Sequence, residues 1–199
     1  MKKGLIFLLV IIAVAVYWFK FRKSDDGPEQ PRQQPIKTSM HSAGFNSGVD
    51  QLIQTYAEIK NAFVDADTAK VKSETARFIV ALDSIKLDEL KTDSSAIFQS
   101  ASMFVTDIKT TAQSLLSQSD IQEMRMDFSG ISENMYPLLK TIHYEGKTLY
   151  WQNCPMAFGE NKGANWISNS TEIVNPYLGK KDTAMLHCGE VKDSIRAEQ

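Results

Sequence analysis

The sequence predicts a mainly α-helical protein: an antiparallel four-helix bundle with a C-terminal irregular or short β-hairpin cap, preceded by an N-terminal transmembrane helix. Three observations predict it. An uncharged run fills residues 4–19, and apolar residues then recur at spacings of three and four over about a hundred residues. Past Gly146 that period gives way to aromatic, β-branched and turn-forming residues.

With 199 residues, a formal net charge of -2, 43% hydrophobic and 23% charged residues, the chain has material for an N-terminal appendage and one globular domain. A near-neutral, slightly acidic balance offers no counter-charge to a phosphate backbone, so nucleic acid is set aside as a partner.

The appendage comes first. Lys2 and Lys3 precede "GLIFLLVIIAVAVYWF", Gly4 to Phe19, which carries no charge. A bilayer needs roughly 20 apolar residues, and "KFRK" at Lys20 to Lys23 can snorkel to complete the length. Two readings follow: an uncleaved anchor with Tyr17, Trp18 and Phe19 in an interfacial belt, or a signal peptide cut after Ala13-Val14-Ala15. The anchor is favoured because the apolar run continues past the cleavage candidate into three aromatics. Lysines and arginines flank both ends, which leaves the orientation open. Either reading puts the remainder outside the cytoplasm, where a cysteine pair can oxidise. Residues 1–23 are thus an anchor or signal segment, 24–46 a flexible linker and 47–199 the extracytoplasmic domain. The linker is rich in Pro, Gln, Ser and charge and poor in core residues, as a solvated tether should be. Its Met40-His41 pair is read as incidental.

The bundle follows by periodicity. Val49, Leu52, Ile53, Tyr56, Ile59 and Phe63 give one apolar stripe, and Asp67 caps a second helix with Val71, Phe78, Ile79, Leu82 and Ile85 inward. Ile97, Ala101, Phe104, Ile108, Ala112 and Leu115 form a third stripe. Ser119 with Gln122 reads as a capping box for a fourth through Ile121, Met124, Phe128, Ile131 and Leu138. Short connections argue antiparallel neighbours. The acidic residues Asp83, Asp88, Glu89, Asp120 and Glu123 read as a solvated face, because the Glu-x-x-His spacing of a di-metal bundle is absent. Met103, Met124, Met126 and Met135 read as core or edge residues, and His143 as a capping or surface histidine.

In the cap, "KTLYWQN" reads as a short strand running into Cys154, and a second short strand is expected through Cys188 into "GEVKDSI". Between them Pro155, Gly159, Gly163, Asn175-Pro176 and Gly179 mark turns. Trp166 and Tyr177 are expected to pack the cap onto the bundle.

"CPMAFGENKGANWISNSTEIVNPYLG" followed by "MLHCGEV" resembles the signature of the bacterial domain of unknown function 3347 family: C-P-M, W-hydrophobic-S, N-P-Y-x-G, then M-x-x-C-G. Upstream, Tyr56 with "EIKNAFVDAD", and Arg125 with Phe128 and Ser129, resemble its helical part, so the likeness covers about Ser47 to Ile195. The resemblance implies a periplasmic, helix-rich domain, held at the inner membrane here, found alone or fused to adaptor subunits of copper and silver efflux systems, and associated with metal binding.

Cys154 and Cys188, the only cysteines, then allow two readings. A disulfide needs only that their α-carbons approach within about 7 Å. A soft-metal site explains in addition Met156 beside Cys154, and Met185 and His187 beside Cys188, because thiolate and thioether select copper(I) or silver(I). In extended chain Cys154 and Met156 share a side, and Met185 and His187 share a side opposite Cys188, so convergence requires a bend at Gly189. With the resemblance added, the metal set Cys154, Met156, Met185, His187 and Cys188 is favoured, with copper(I) or silver(I) passed to an efflux or delivery partner. A disulfide-stapled structural or interaction domain is the alternative. No nucleophile-base pair, phosphate loop or zinc-hydrolase motif points to an enzyme, so no catalytic residue is named.

Overall fold

The computed structural model describes residues 41–180 and 182–196, together with Tyr17. Apart from Tyr17, the anchor or signal segment lies outside the described residues, as do residues 24–40 of the tether. Among the described residues no helix is long and apolar enough to cross a membrane.

Four helices carry most of the fold: α1 (Ala43–Val64), α2 (Thr68–Ser84), α3 (Ser95–Ser117) and α4 (Ile121–Thr141). Helix α1 starts inside the stretch read as tether. The Ser42 hydroxyl accepts from the Phe45 N–H, and Phe45 is buried at 1% exposure. His41 is itself drawn in, its Nε2 donating to the Ile142 carbonyl at 2.7 Å while its ring packs 4.5 Å from Phe45. Polar composition around Ser42 concealed a capping residue. Asp67 caps α2 as expected, accepting from the Lys70 N–H. A 3-10 helix, Leu87–Thr92, which the periodicity did not reveal, bridges α2 to α3 and buries Leu90.

Helix α4 opens at Asp120 rather than at the expected Ser119–Gln122 box. The Asp120 carboxylate accepts from both Gln122 N and Glu123 N, and a negative charge at a helix N-terminus satisfies the free amides better than a hydroxyl. At the other end His143 takes φ 49 while its N–H reaches the Lys140 carbonyl and that of Tyr144 reaches Leu139. His143 is an exposed left-handed helix terminator, in keeping with its sequence reading.

The helices run antiparallel. Asn46 near the start of α1 meets Glu145 after α4, while Phe63 at the end of α1 meets Arg125 at the start of α4. Gly48 lies against Ile85, and Gln118 bonds Asp127 across the α3–α4 turn. The apolar stripes form the core: Leu52, Ile59, Phe63, Val71, Phe78, Ile108, Leu115, Phe128 and Ile131 are all fully buried. Phe128 stacks on Tyr56 at 5.0 Å and lies 5.1 Å from Phe63, so large rings fill the α1–α4 seam.

The cap holds a three-stranded antiparallel sheet of order β2-β1-β3, from β1 (Leu149–Cys154), β2 (Ala164–Ser168) and β3 (Glu190–Ile195). The expected hairpin is therefore corrected in two ways. "ANWIS" supplies β2 inside a run read as turns, and the strand sought through Cys188 begins two residues later, at Glu190. Five residues are too few to carry a period-two signal. What makes β2 a strand is its pairing and its setting against the helices. One sheet face lies on α4, where Trp151 stacks on Tyr136 at 4.4 Å and Asn165 bonds Glu133. The other, carrying Gln152, Cys154 and Trp166, is covered by residues 169–189, hereafter the strap.

The outer edge of β2 is closed by side chains. Tyr56 OH receives the Ile167 N–H at 3.1 Å and is itself bonded to Ser132, while Tyr177 OH donates to the Asn165 carbonyl. Two hydroxyls from the bundle seam and the strap thus occupy groups that an open edge offers to another strand.

Candidate functional site

The site grows from the end of β1. Cys154 is its last residue and is fully buried, but the chain turns at Pro155, leaving Met156 43% exposed. The extended-chain alternation that would set both side chains on one side ends with the strand. On the other arm residues 183–187 form turns, with Met185 N bonded to the Asp182 carbonyl and Cys188 N to the Met185 carbonyl. Alternation does not apply there either.

The bend expected at Gly189 is present. Gly189 takes φ +141, and a Cβ on it would stand 2.6 Å from the Asn153 carbonyl oxygen and 3.1 Å from the Trp166 ring. Only glycine passes this close to β1. The passage brings Cys188 back onto Cys154, their Sγ atoms 2.7 Å apart and unbonded.

Asn175 organises the strap around this contact. Fully buried, it donates from Nδ2 to the Cys188 carbonyl, accepts at Oδ1 from the Tyr177 and Leu178 N–H groups, and gives its own N–H to the Leu186 carbonyl. The expected Asn175-Pro176 turn is therefore also the tie between the strap's two limbs. Arg125 fixes the far end. Its guanidinium donates to the carbonyls of Pro176, Phe63 and, at 3.5 Å, Leu178. Gly179 closes that corner at φ +68, where a Cβ would lie 2.8 Å from the Val64 carbonyl. Tyr177 links everything: its ring lies 6.0 Å from both Phe128 and Trp166 and 5.2 Å from Phe158. Trp166 and Tyr177 do pack cap to bundle.

Burial, then the bond to Cys154 and that thiol's charge, push the Cys188 thiol up to about 11. In the reduced form the Cys188 thiol therefore keeps its proton near neutral pH. His187 is exposed, and its Nδ1 lies 2.7 Å from the Ile173 carbonyl. A carbonyl only accepts, so Nδ1 carries a proton and donates to it. Met185 is half-buried. Of the five candidate ligands, then, the fold joins Cys154 to Cys188. Among the described residues no three His, Cys, Asp or Glu side chains gather in one place.

Beneath the strap, Gln152 Oε1 and Trp166 Nε1 are buried without partners. They belong to residues directly opposite in the β1–β2 register, one an acceptor and the other a donor. Sequence reasoning had no signal for Gln152 or Asn175 as buried polar ties. Arg125 entered only through the family resemblance, and Tyr56 was otherwise read only as part of the first apolar stripe.

The model of a family described as a protein of unknown function (DUF3347) matches residues 52–147. The match covers α2, α3, α4 and the later part of α1, and ends seven residues before Cys154. No curated protein matches the chain, and no solved structure does.

Proposed function

We propose, for a chain that belongs to the DUF3347 family, that its extracytoplasmic helical domain is an interaction module whose cap is stapled by a Cys154–Cys188 disulfide. The 2.7 Å Sγ–Sγ approach carries this reading. Closing to a bond of about 2.05 Å needs some 0.7 Å of movement. Two sulfurs bound to one tetrahedral metal at about 2.3 Å stand roughly 3.8 Å apart, so a metal has to open the pair by about 1.1 Å against the Asn175 and Gly189 constraints. The bond would close a loop between residues 34 apart in sequence, where chain entropy gives about 4 kcal/mol.

The test is a thiol count on the unfolded full chain, purified from an oxidising compartment, with a melting curve before and after reduction. No free thiols and a fall of roughly 10 °C on reduction are expected. Two free thiols and a reductant-insensitive midpoint would overturn the staple.

His187 supports a second reading, soft-metal capture by the reduced protein. Its Nδ1–H bond to a backbone carbonyl is the usual bracing of a metal-binding imidazole, and Met156 stands exposed beside the dithiol as a soft donor. Cys154, Met156, Met185, His187 and Cys188 would then hold copper(I) or silver(I) for transfer to an efflux or delivery protein at the membrane. Anaerobic copper(I) titration of the reduced chain against a competing chelator tests it. Tight one-to-one binding that Met156→Leu weakens favours capture, and no binding leaves the staple alone.

A further inference from the structure

The two sulfurs of the staple stand in unequal surroundings. Cys154 ends β1 with no exposed surface and belongs to the hydrophobic core. Cys188 is half-buried on the strap, between exposed His187 and half-buried Gly189. In thiol–disulfide exchange an attacking sulfur arrives along the axis of the bond at one sulfur while the other leaves, so access decides which is attacked. A line to Cys154 runs through the core. The strap covers the sheet face that carries Cys154, so a line to Cys188 comes in over the strap's outer side.

The strap also stays seated without the bond. Both thiols are free in the structure, yet their Sγ atoms stand 2.7 Å apart. Gln152 holds the Ser170 and Glu172 carbonyls, and Asn175 holds that of Cys188. The freed Cys154 sulfur therefore remains beside any group that has taken Cys188 and can expel it. A monothiol is returned in this way. A reductant with a second thiol leaves instead by closing its own disulfide.

Resting on the staple reading, we propose that the Cys154–Cys188 bond is a reversible latch on the strap, opened at Cys188 by a protein dithiol, with Cys154 as the leaving sulfur. The attacking thiolate bonds to Cys188 Sγ, the Cys154–Cys188 bond breaks, and its electron pair goes to Cys154 Sγ, which takes a proton. The reductant's second thiolate then attacks its own partner sulfur in the mixed disulfide. Cys188 Sγ leaves with that electron pair and takes a proton. Two electrons pass to the chain, and the reductant ends as a disulfide.

The test begins with the thiol count on the full chain from an oxidising compartment. The oxidised chain is then treated with glutathione, quenched in acid, alkylated and mapped by peptide mass. Glutathione on Cys188 with the alkyl group on Cys154 is expected to exceed the reverse by about tenfold or more. Reduced thioredoxin should open the pair about tenfold faster than glutathione at equal thiol concentration. Hydrogen exchange at the Tyr177, Leu178 and Cys188 amides should quicken several-fold on reduction, with α1 and α4 unchanged. Glutathione on Cys154 or evenly split, thioredoxin no faster than glutathione, or unchanged exchange in the strap would each overturn the latch and leave the staple standing. Two free thiols before any reductant would overturn the staple and the latch with it.

Discussion

The bundle and the cap share one hydrophobic core but are held together differently. In the bundle, buried residues such as Leu52, Phe78, Ile108 and Leu115 recur at helical spacing, and each helix makes its own backbone bonds. In the cap, the strap from 169 to 189 has no helix or strand among its described residues. It is held by side chains bonded to distant backbone: Gln152 to Ser170 and Glu172, Asn175 to Cys188, Arg125 to Pro176. Apolar burial is tolerant of small shifts because it has no direction. A buried polar tie is not, since losing one partner strands the other at about 1–3 kcal/mol. The bundle should therefore degrade gradually under mutation, and the strap should fail as a unit.

The largest effect should come where the two regions meet. Phe128 touches Tyr56, Phe63 and Tyr177, so Phe128→Ala removes the ring that joins bundle to cap. A loss of about 4 kcal/mol by denaturant unfolding is expected, with helical and aromatic signals falling together. Two separate transitions would break the picture of a shared core.

Asn175→Ala should lose less, about 2–3 kcal/mol, and lose it locally. Hydrogen exchange should show the Tyr177, Leu178 and Cys188 amides unprotected while those of α1 and α4 stay slow. Uniform loss of protection would mean the strap has no separate stability.

The smallest effect is electrostatic and ties β3 to α4. Lys140, then the Tyr136 hydroxyl, hold the Asp193 carboxyl down at about 2. A carboxylate depressed in the folded state stabilises above its unfolded value near 3.8, and that contribution fades as pH falls toward 2. Melting points of the natural chain and Asp193→Asn should therefore differ slightly at pH 6 and converge near pH 2. Parallel curves would assign the contact no weight, as holds for many exposed pairs.

Legibility followed the same divide. The four stripes and the Asp67 cap were readable because a helix repeats its instruction every three or four residues. Single-residue decisions were not: Ser42 opening α1 inside a polar stretch, and Asp120 replacing the Ser119 box. Strand β2 was missed because its five residues become a strand through their partners. At the candidate site the sequence singled out Cys154, Cys188 and the need for a bend at Gly189. Met156, Met185 and His187 do not follow extended-chain alternation, because neither arm is extended there.

By itself, then, the sequence determined the helical class, the stripes that fill the core, the change of character past Gly146 and the pairing problem set by two cysteines. All of these are local patterns or compositions. Tertiary structure alone decided that Asn175 would tie the strap's limbs, that Tyr56 and Tyr177 would close the β2 edge, and that the two sulfurs would stand within 2.7 Å. Those outcomes depend on directional contacts between residues 12 to 111 positions apart, and no local periodicity specifies which partners meet.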